Sequence, residues 1–490
     1  MVKVELTPDL VTTNQNDQIK TTEIPAINPK KYSPLMLIEG LTININSFLN
    51  KLNCSYLTVL LFNEKQLKII ILKAYHFAYT RFLKRDSFFC KKEQTWEKEM
   101  KKIFATLLAL CLLNTASFSD VKLGIILGFT GPIESLTPDM AAGAELAIDE
   151  VNKAGNFSMG KVSGVRADST CIDSSAATAA AERLITSDKV NGIMGADCSG
   201  VTTAILQQVA MANGVVMISP SATSPALSTV EDNNLFFRTA PSDARQGQVV
   251  ADILKEKGLK KVAISYVNND YGKGLAASIE ENHKAAGGTV TISAPHEDDK
   301  GDYSAEVGAL AQAGGDILIV AGYLNSGGKG IIQASLDSGA FDLFFLPDGM
   351  IGESLPKDIG SGLNGSIGTV PGTDSPGAAK FGDMASAAGF KSGPFAMESY
   401  DAAALMLLAM EAAKSSDSQA YKGKIMDIAN APGEKIFPGD LKKALKLISE
   451  GKDVDYVGAS AVELIGAGES AGNYAQIEVK SGKNETVAYR

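Results

Sequence analysis

The sequence has little histidine, and it lacks the short motifs that mark common catalytic sites. Three histidines occur among 490 residues, and only His283 and His296 lie beyond residue 119. Both fall in strongly charged segments, which predicts that they are exposed to solvent. No phosphate-binding loop or cluster of metal-ligand residues occurs in the sequence. We therefore expect a protein that is not an enzyme, with no catalytic residue, no bound metal and no cofactor.

Basic residues are scarce in the larger part of the chain. Residues 1–102 carry 16 Lys and Arg against 10 Asp and Glu, and residues 103–119 carry no charge. The remainder holds 30 basic and 46 acidic residues. This acidic part of the chain repels nucleic-acid phosphates and anionic membrane surfaces. We therefore expect no nucleic-acid partner. A hydrophobic content of 45% is that of a globular protein.

A change of composition near residue 100 predicts an export signal. Met100 is followed by two lysines and then by an apolar run that ends at Leu113, too short for a membrane anchor. Small residues follow up to Ser119 and suit a signal peptidase. We predict a signal peptide at 100–119 and a periplasmic mature protein. A buried core helix that begins at Met100 is the alternative.

Residues 1–99 precede this signal, although a signal peptide should stand at the N-terminus. The stretch holds the only Trp and has no clear helical or strand periodicity. We interpret it as an extension that results from a mis-assigned start codon, with initiation at Met100. A poorly ordered cytoplasmic leader is the alternative.

Two of the five cysteines, Cys171 and Cys198, lie beyond the predicted signal. An even number in an oxidising compartment favours one disulfide, and two unpaired, buried cysteines are the alternative. Their separation does not match a zinc-binding spacing.

Short apolar strands alternate with helices along most of the chain after residue 120. Strands are predicted at 121–128 and 190–195 with a helix at 138–153 between them, and a second series begins after Pro241. Such alternation predicts an α/β protein with two doubly wound, parallel-sheet lobes. A segment rich in Gly, Ala, Ser and Pro at 373–393 precedes further elements, so we expect the chain to cross between the lobes more than once.

Polar and aromatic side chains follow the predicted strands of both lobes, where open α/β sheets bind ligands. Ser199 and Thr223 stand at loop-to-helix junctions, whose hydroxyls and free N–H groups attract a carboxylate. Asp348 follows a strand of the other lobe and suits an ammonium group. Tyr271 and Tyr323 offer aromatic walls with a polar tip. Together they predict a clamp for a small zwitterion.

Each of these residues also has an ordinary structural explanation. Ser199 and Thr223 are good helix N-caps. Asp348 and the glycine after it form a common turn pair. Tyr271 and Tyr323 could be partly buried surface aromatics. It is their joint position at strand ends that favours a binding site.

The same segments resemble the periplasmic leucine/isoleucine/valine-binding proteins of ABC transporters, a branched-chain amino-acid-binding family. The resemblance covers nearly all of residues 121–490. Its markers, besides the two cysteines, are Gly131-Pro132, Ala142-Gly143, Met217 to Thr223, Phe237-Arg238-Thr239, Asp270 to Gly274, Gly322-Tyr323 and Pro347-Asp348-Gly349.

The resemblance implies the type I periplasmic binding fold, with two doubly wound lobes joined by a multi-strand hinge. On that fold, the first lobe comprises residues 120–241 and 372–458, and the second comprises 242–371 and 459–490. It also implies that Cys171 and Cys198 form a disulfide in the first lobe.

The resemblance further implies a set of ligand-binding residues. In the first lobe these are Ser199, Ser221, Ala222 and Thr223, of which Ser199 and Thr223 bind the α-carboxylate and Thr223 also faces the ammonium. In the second lobe Asp348, which stands where the best-known members have Glu, holds the ammonium, and Tyr271 and Tyr323 match the tyrosines that this lobe contributes. Leu136 stands near a position that is often aromatic in the family, which leaves the side-chain specificity open.

The function implied is that of a monomeric, extracytoplasmic solute-binding protein. It would capture an amino acid, branched-chain or related, in the cleft and deliver it to the membrane permease of an ABC importer. Two alternatives remain at this point. One is a binding protein of the same fold for amides, urea or small organic acids, and the other is a soluble sensor that presents its ligand to a receptor.

Overall fold

The computed structural model describes residues 120–490. The predicted signal peptide at 100–119 and the predicted extension at 1–99 lie outside the described residues. Residues 120–490 contain two seven-stranded sheets, a disulfide and a continuous hydrophobic core. This part of the chain therefore holds what it needs to fold as a unit.

The strands of the described region are numbered in chain order. Their bounds are β1 Val121–Leu127, β2 Val162–Asp168, β3 Gly192–Gly195, β4 Met217–Ser219, β5 Phe236–Pro241, β6 Lys261–Val267, β7 Thr289–His296, β8 Ile317–Ala321, β9 Phe344–Leu346, β10 Ile367–Pro371, β11 Glu434–Ile436, β12 Val454–Tyr456, β13 Leu464–Ile465, β14 Glu469–Ser470, β15 Tyr474–Lys480 and β16 Lys483–Tyr489.

The helices lie between these strands. Their bounds are α1 Thr137–Ala154, α2 Ser174–Thr186, α3 Ser199–Ile205, α4 Met211–Asn213, α5 Asp243–Glu256, α6 Asp270–Ala285, α7 Ser304–Ala313, α8 Gly327–Ser338, α9 Ser354–Ile359, α10 Pro376–Ala388, α11 Ala396–Ala413, α12 Ser418–Tyr421, α13 Ile425–Ala429 and α14 Leu441–Ser449. A π-helical turn, Leu206–Ala210, joins α3 to α4, and short 3-10 helices lie at Pro225–Ser228, Asp348–Met350, Gly360–Leu363 and Lys422–Lys424.

Each of the two large sheets is the centre of one lobe. The first has the strand order β13-β14-β5-β4-β3-β1-β2, and the second has the order β16-β15-β10-β9-β8-β6-β7. The central strands of both run parallel, as the strand–helix alternation predicts, because each crossover helix returns the chain to the same end of the sheet. Antiparallel strands occur at one edge of each sheet. The fold class is therefore the predicted α/β arrangement of two doubly wound lobes.

The chain passes between the two sheets three times. It leaves the first sheet after β5, returns after β10, and leaves again after β14. We predicted residues 459–490 as part of the second lobe, but β13 and β14 pair in the first sheet, so the last crossing follows Ser470. Strand β14 pairs with β5 there, and Glu469 lies beside Arg238 and forms an ion pair with it.

Helix α1 shows how local sequence sets an element. Pro138 occupies its first turn, and Gly155 ends it in the left-handed conformation at φ 67°. Its Gly143 lies against α11, where a Cβ atom would come within 2.3 Å of the carbonyl oxygen of Ala396. The glycine therefore permits the close packing of α1 on α11. Helix α11 is buried on all sides, and none of the helices of residues 120–490 is both long and apolar enough to cross a membrane.

Two predictions from local composition were wrong. His283 and His296 were expected at the surface, but they are 2% and 1% exposed. His283 Nε2 contacts the carbonyl oxygen of Lys260 at 3.0 Å, and His296 Nδ1 contacts Ser265 Oγ at 2.8 Å. The charged residues next to each histidine in the sequence therefore did not predict whether its side chain is buried or exposed. No helix was predicted in the segment 373–393, and it contains α10.

Candidate functional site

A small, narrow cavity of about 20 Å³ lies in the cleft between the two sheets, at the carboxyl ends of their strands. Both lobes contribute to its wall. Its lining residues are Ile133, Leu136, Asp197, Cys198, Ser199, Ser221, Tyr271, Tyr323, Asp348, Gly349 and Phe395. The site is therefore at the position where open α/β sheets bind small molecules.

The wall from the first lobe is rich in hydroxyl and backbone N–H groups. Ser199 is the first residue of α3, and its Oγ accepts a hydrogen bond from the backbone N of Ser224 at 3.1 Å. Thr223 is 1% exposed, and its hydroxyl adjoins the buried Asp243 carboxyl. Because free donors gather at the start of a helix, this wall suits a carboxylate.

Arg238 fixes the loop that carries these hydroxyls. It is 1% exposed, and its guanidinium donates to the carbonyl oxygens of Ala222 (3.0 Å) and Ser224 (2.9 Å). The same guanidinium pairs with the Glu469 carboxylate at 2.5 Å. A buried charge that is both paired and hydrogen-bonded holds its neighbours in one arrangement. Arg238 therefore sets the loop geometry, while Glu469 balances its charge.

Asp197 organises the end of β3 on the same wall. Its carboxylate accepts from the backbone N of Gly128 at 2.6 Å and from Ser169 Oγ at 2.9 Å. Burial raises the pKa of Asp197 above its ordinary value, and these hydrogen bonds oppose the shift. The Cys171–Cys198 disulfide joins the adjacent residue to the loop after β2. Ser199 thus follows two anchored residues, one held by hydrogen bonds and the other by the disulfide.

The wall from the second lobe is formed by two stacked tyrosines and a carboxylate. The rings of Tyr271 and Tyr323 lie 5.3 Å apart, with 17° between their planes. The Tyr271 hydroxyl donates to Asp348 Oδ1 at 2.7 Å. The Asn269 side chain caps α6 through the backbone N of Gly272, which places Tyr271 in the first turn of that helix. Burial raises the pKa of Tyr271 well above its ordinary value, so its hydroxyl remains a donor.

A second carboxylate lies behind Asp348. When the amide of Gln246 is oriented with its nitrogen toward the carboxylates, it donates to Asp348 Oδ1 at 3.0 Å and to Asp243 Oδ1 at 2.9 Å. Its oxygen then accepts from the backbone N of Asp348 and from Thr369 Oγ1. Both aspartates are buried, and burial is the main cause that raises the pKa of each. The second lobe therefore presents a wall with two buried carboxyl groups to the cavity.

Apolar side chains close the remaining side of the cavity. Ile133 and Leu136 come from the segment before α1, and Phe395 precedes α11. All three are buried, with exposed fractions of 5–6%. Polar groups at two faces and an apolar third face suit a small molecule with charged and apolar ends.

Hydrogen bonds across the mouth of the cleft hold the lobes together. The Asn325 backbone N donates to the carbonyl oxygen of Pro132 at 3.0 Å. The Asn325 side chain accepts from Ser135 Oγ at 2.7 Å and donates to Ser354 Oγ at 3.1 Å. An exposed pair, Lys391 and Glu353, spans the same side. The conformation is therefore one in which the two lobes are in contact at the cleft.

Five of the predicted ligand-binding residues line one cavity. These are Ser199, Ser221, Tyr271, Tyr323 and Asp348. Ala222 and Thr223 belong to the same loop and are buried, but they are not among the lining residues. The predicted Cys171–Cys198 disulfide is present.

Sequence reasoning missed the groups that hold this set in place. Asp197, Asp243, Gln246 and Phe395 received no role, and Arg238 was only a marker of resemblance. The sequence gives only a weak indication for Asp243 and Gln246: they lie one helical turn apart, just after a predicted crossing between the lobes. Their contacts with Asp348 span more than 100 residues of sequence, so only the fold reveals them.

Relatives of known sequence support the assignment of the fold to a family. Residues 120–433 match the family described as periplasmic binding protein. The Leu/Ile/Val-binding protein of Citrobacter freundii is 30% identical over 272 residues, which is 55% of this chain and 73% of that protein. The Leu/Ile/Val-binding protein homolog 3 of Brucella melitensis is 30% identical over 321 residues, 64% of this chain and 84% of that protein.

Solved structures share the same architecture. The leucine-binding protein LivK of Thermotoga maritima superposes with a TM-score of 0.64 at 22% identity, covering 75% of this chain and 98% of that one. LivJ of Streptococcus pneumoniae in complex with isoleucine gives a TM-score of 0.62 at 24% identity, covering 76% and 99%. At these identities the superpositions show the fold, and the family match covers well over half of the chain. The chain therefore belongs to the periplasmic binding protein family.

Proposed function

We propose that this protein is the solute-binding component of an ABC importer and that it captures a branched-chain or related L-amino acid in the cleft. The observation that carries the proposal is the opposite chemistry of the two walls. On one lobe the Ser199 hydroxyl lines the cavity and the Thr223 hydroxyl is buried in the adjoining loop, and on the other lobe Asp348 offers a carboxylate. The ligand would be bound and released without chemical change.

The two walls suit the two ends of a zwitterion. The α-carboxylate would accept from the Ser199 and Thr223 hydroxyls, and the ammonium would donate to Asp348, with Thr223 close to both. Charge-assisted hydrogen bonds of this kind are stronger than neutral ones. A ligand that lacks either charge would leave a buried polar group unpaired, which costs about 1–3 kcal/mol or more for a charged group. Selection for amino acids follows from that penalty.

The apolar face would hold the ligand side chain. Ile133, Leu136 and Phe395 provide no hydrogen-bonding side-chain group, so an aliphatic side chain loses nothing by entering. The relatives named Leu/Ile/Val-binding proteins and the isoleucine complex of LivJ favour the same ligand class.

Transport would require delivery to a partner. Closure around the ligand presents one fixed arrangement of the two lobes, which a membrane permease could recognise. A periplasmic location, reached through the signal peptide at 100–119, is part of this proposal. The Cys171–Cys198 disulfide supports it, because such cross-links persist in oxidising compartments.

A thermal-shift screen of residues 120–490 tests the ligand assignment. The panel contains the L-amino acids, their amides, urea and small organic acids, and a dye reports unfolding because this region has no tryptophan. A true ligand at a hundredfold excess over its dissociation constant stabilises the protein by about 2.7 kcal/mol. We expect a shift with leucine, isoleucine or valine. A shift only with amides, urea or an aromatic acid such as benzoate would contradict the proposal.

A further inference from the structure

The second lobe buries two carboxylates where a single ammonium group needs one. Asp243 is fully buried, and Asp348 is 2% exposed. Since both accept from the same amide nitrogen of Gln246, their Oδ1 atoms lie within about 6 Å of each other. Two carboxylates this close and shielded from water cannot both remain ionised at low cost, because each raises the pKa of the other.

The surroundings supply little positive charge to the pair. The ionisable groups that face it are Arg238 on β5, Arg245 on α5, Glu469 on β14, Tyr271 on α6, Tyr323 after β8 and Tyr474 on β15. Arg238 is already paired with Glu469. Arg245 is half-buried and donates to Gln248. Burial raises the pKa of all three tyrosines, so they remain neutral donors.

We infer that Asp243 and Asp348 together hold one proton in the ligand-free protein, and that the ligand's ammonium displaces this proton to solvent when it binds Asp348. One positive charge replaces another, so the charge of the buried wall is conserved. The inference rests on the proposed function, since it needs an ammonium at Asp348. Asp243 is then a positioning residue that acts through Asp348 and does not itself contact the ligand.

The hydrogen bonds of the pair are consistent with a shared proton. Burial raises the pKa of Asp348, and burial with the neighbouring Asp348 charge raises the pKa of Asp243. The Thr223 hydroxyl adjoins the buried Asp243 carboxyl, and its hydrogen bond opposes the rise in the pKa of Asp243 without cancelling it. The backbone N of Asp243 donates to the carbonyl oxygen of Thr223 at 2.8 Å, so the two residues are neighbours across the hinge. A proton on Asp243 thus lies beside the predicted ammonium site.

Calorimetry counts this proton directly. L-leucine is titrated into residues 120–490 at pH 6.5 in buffers of different ionisation enthalpy, and the dependence of the binding heat on that enthalpy gives the protons exchanged. We expect about one proton released per leucine, and a dissociation constant that falls up to tenfold per pH unit between about pH 5.5 and 7. The amino and carboxyl groups of leucine do not titrate in this range, so the proton comes from the protein.

Variants assign the proton to the pair. Asp243→Asn cannot share it, so the proton release at pH 6.5 should fall well below that of the wild type. The dependence of affinity on pH should move to lower pH, because burial alone still raises the pKa of Asp348. Asp243→Glu restores a carboxylate and should restore the release. Since Asp197 also lines the cavity, an undiminished release in Asp243→Asn would place the proton elsewhere and overturn the inference.

The wild-type measurement still tests the inference if Asp243→Asn fails to fold. Leucine binding without any dependence on buffer enthalpy would overturn the inference and leave the proposed function intact. The absence of binding by every L-amino acid would instead contradict the proposed function. The two failures are therefore distinguishable.

Discussion

The Tyr271 hydroxyl donates to Asp348 Oδ1 at 2.7 Å, and Tyr271 is in turn stacked on Tyr323. This contact joins the first turn of α6 to the loop after β9, two segments 77 residues apart. It fixes the carboxylate on which the ammonium assignment depends. Residues that occupy separate strand ends in the sequence thus form one wall of the cleft.

Replacement of Asp348 by Asn should abolish amino-acid binding while preserving the fold. The amide has nearly the same shape but cannot pair with an ammonium. Removal of one partner of a buried charge pair costs about 2–5 kcal/mol, so leucine affinity should fall at least about thirtyfold by calorimetry. Asp342→Asn, at an exposed position in the same lobe, is the matched control. Leucine binding that survives Asp348→Asn within threefold would remove the ammonium role.

Replacement of Thr223 by Val tests the opposite wall. Valine keeps the shape of threonine and removes only the hydroxyl. The Thr223 hydroxyl adjoins the Asp243 carboxyl, and one hydrogen bond contributes about 1 kcal/mol net, so the melting temperature without ligand should fall only slightly. A hydrogen bond to a charged group contributes about 1.5–3 kcal/mol, so leucine affinity should fall roughly ten- to a hundredfold.

The control for this change is Thr229→Val, at an exposed threonine six residues further along. A large loss of stability in Thr223→Val, with unchanged affinity, would instead make Thr223 a structural residue. The pair of measurements therefore separates the two explanations that the sequence left open.

The sequence could predict those parts of the fold and site that depend on local pattern. Strands such as β1 are runs of buried aliphatic residues, and residues at their ends gather because parallel strands end at one edge. Ser199 and Asp348 could be named for this reason. Helix α10 was missed because its Gly, Ala and Ser content resembles that of a loop.

What could not be predicted depends on contacts between distant segments. The last crossing follows Ser470 because β14 pairs with β5, where Glu469 contacts Arg238, 231 residues away. Asp243 joins the site through Gln246, which no spacing reveals. His283 is buried because Gly288, five residues on, leaves room for its ring, as a Cβ there would lie 2.1 Å from Nε2.

Glu398 should make stability depend on pH. It is 1% exposed, and burial raises its pKa from 4.5 to about 8. A carboxyl whose pKa is raised on folding stabilises the native state fully below its unfolded pKa. That contribution is lost as pH rises toward 8. Glu398→Gln should therefore gain stability relative to wild type by about 1.4 kcal/mol per pH unit between roughly pH 5 and 8.

Denaturant unfolding at several pH values measures this difference. Glu182→Gln, at an exposed glutamate, is the control and should follow the wild type. A difference between Glu398→Gln and wild type that stays constant with pH would show that Glu398 is ionised in the folded protein.

Removal of the disulfide should lower stability more than it alters the chemistry of the site. Cys171 and Cys198 are 27 residues apart, and a loop of that size stabilises by about 3–4 kcal/mol in the chain-entropy account. The double substitution of both cysteines by Ala should lower the melting temperature by the amount that corresponds to this free energy. The melting temperature of this variant should not change when dithiothreitol is added. Wild-type protein should lose the same stability on reduction. Equal melting temperatures of oxidised and reduced wild type would contradict this account.

Asn325 should stabilise closure from outside the cavity. Its side chain bonds to Ser135 in the first lobe and to Ser354 in the second, so Asn325→Ala loses the cross-cleft contact with Ser135. The backbone contact with Pro132 remains. A hydrogen bond contributes about 1 kcal/mol net, which predicts an affinity for leucine about fivefold weaker, mostly through faster dissociation.

The matched control is Asn364→Ala, because Asn364 is exposed and bonds only within the second lobe, to Gly482. Stopped-flow dissociation and calorimetry of both variants separate closure from folding. If Asn325→Ala lowered the melting temperature of the ligand-free protein and left the dissociation rate unchanged, the contact would stabilise the fold rather than the closed cleft. A faster dissociation with an unchanged ligand-free melting temperature assigns the contact to closure, since only the bound state then depends on it.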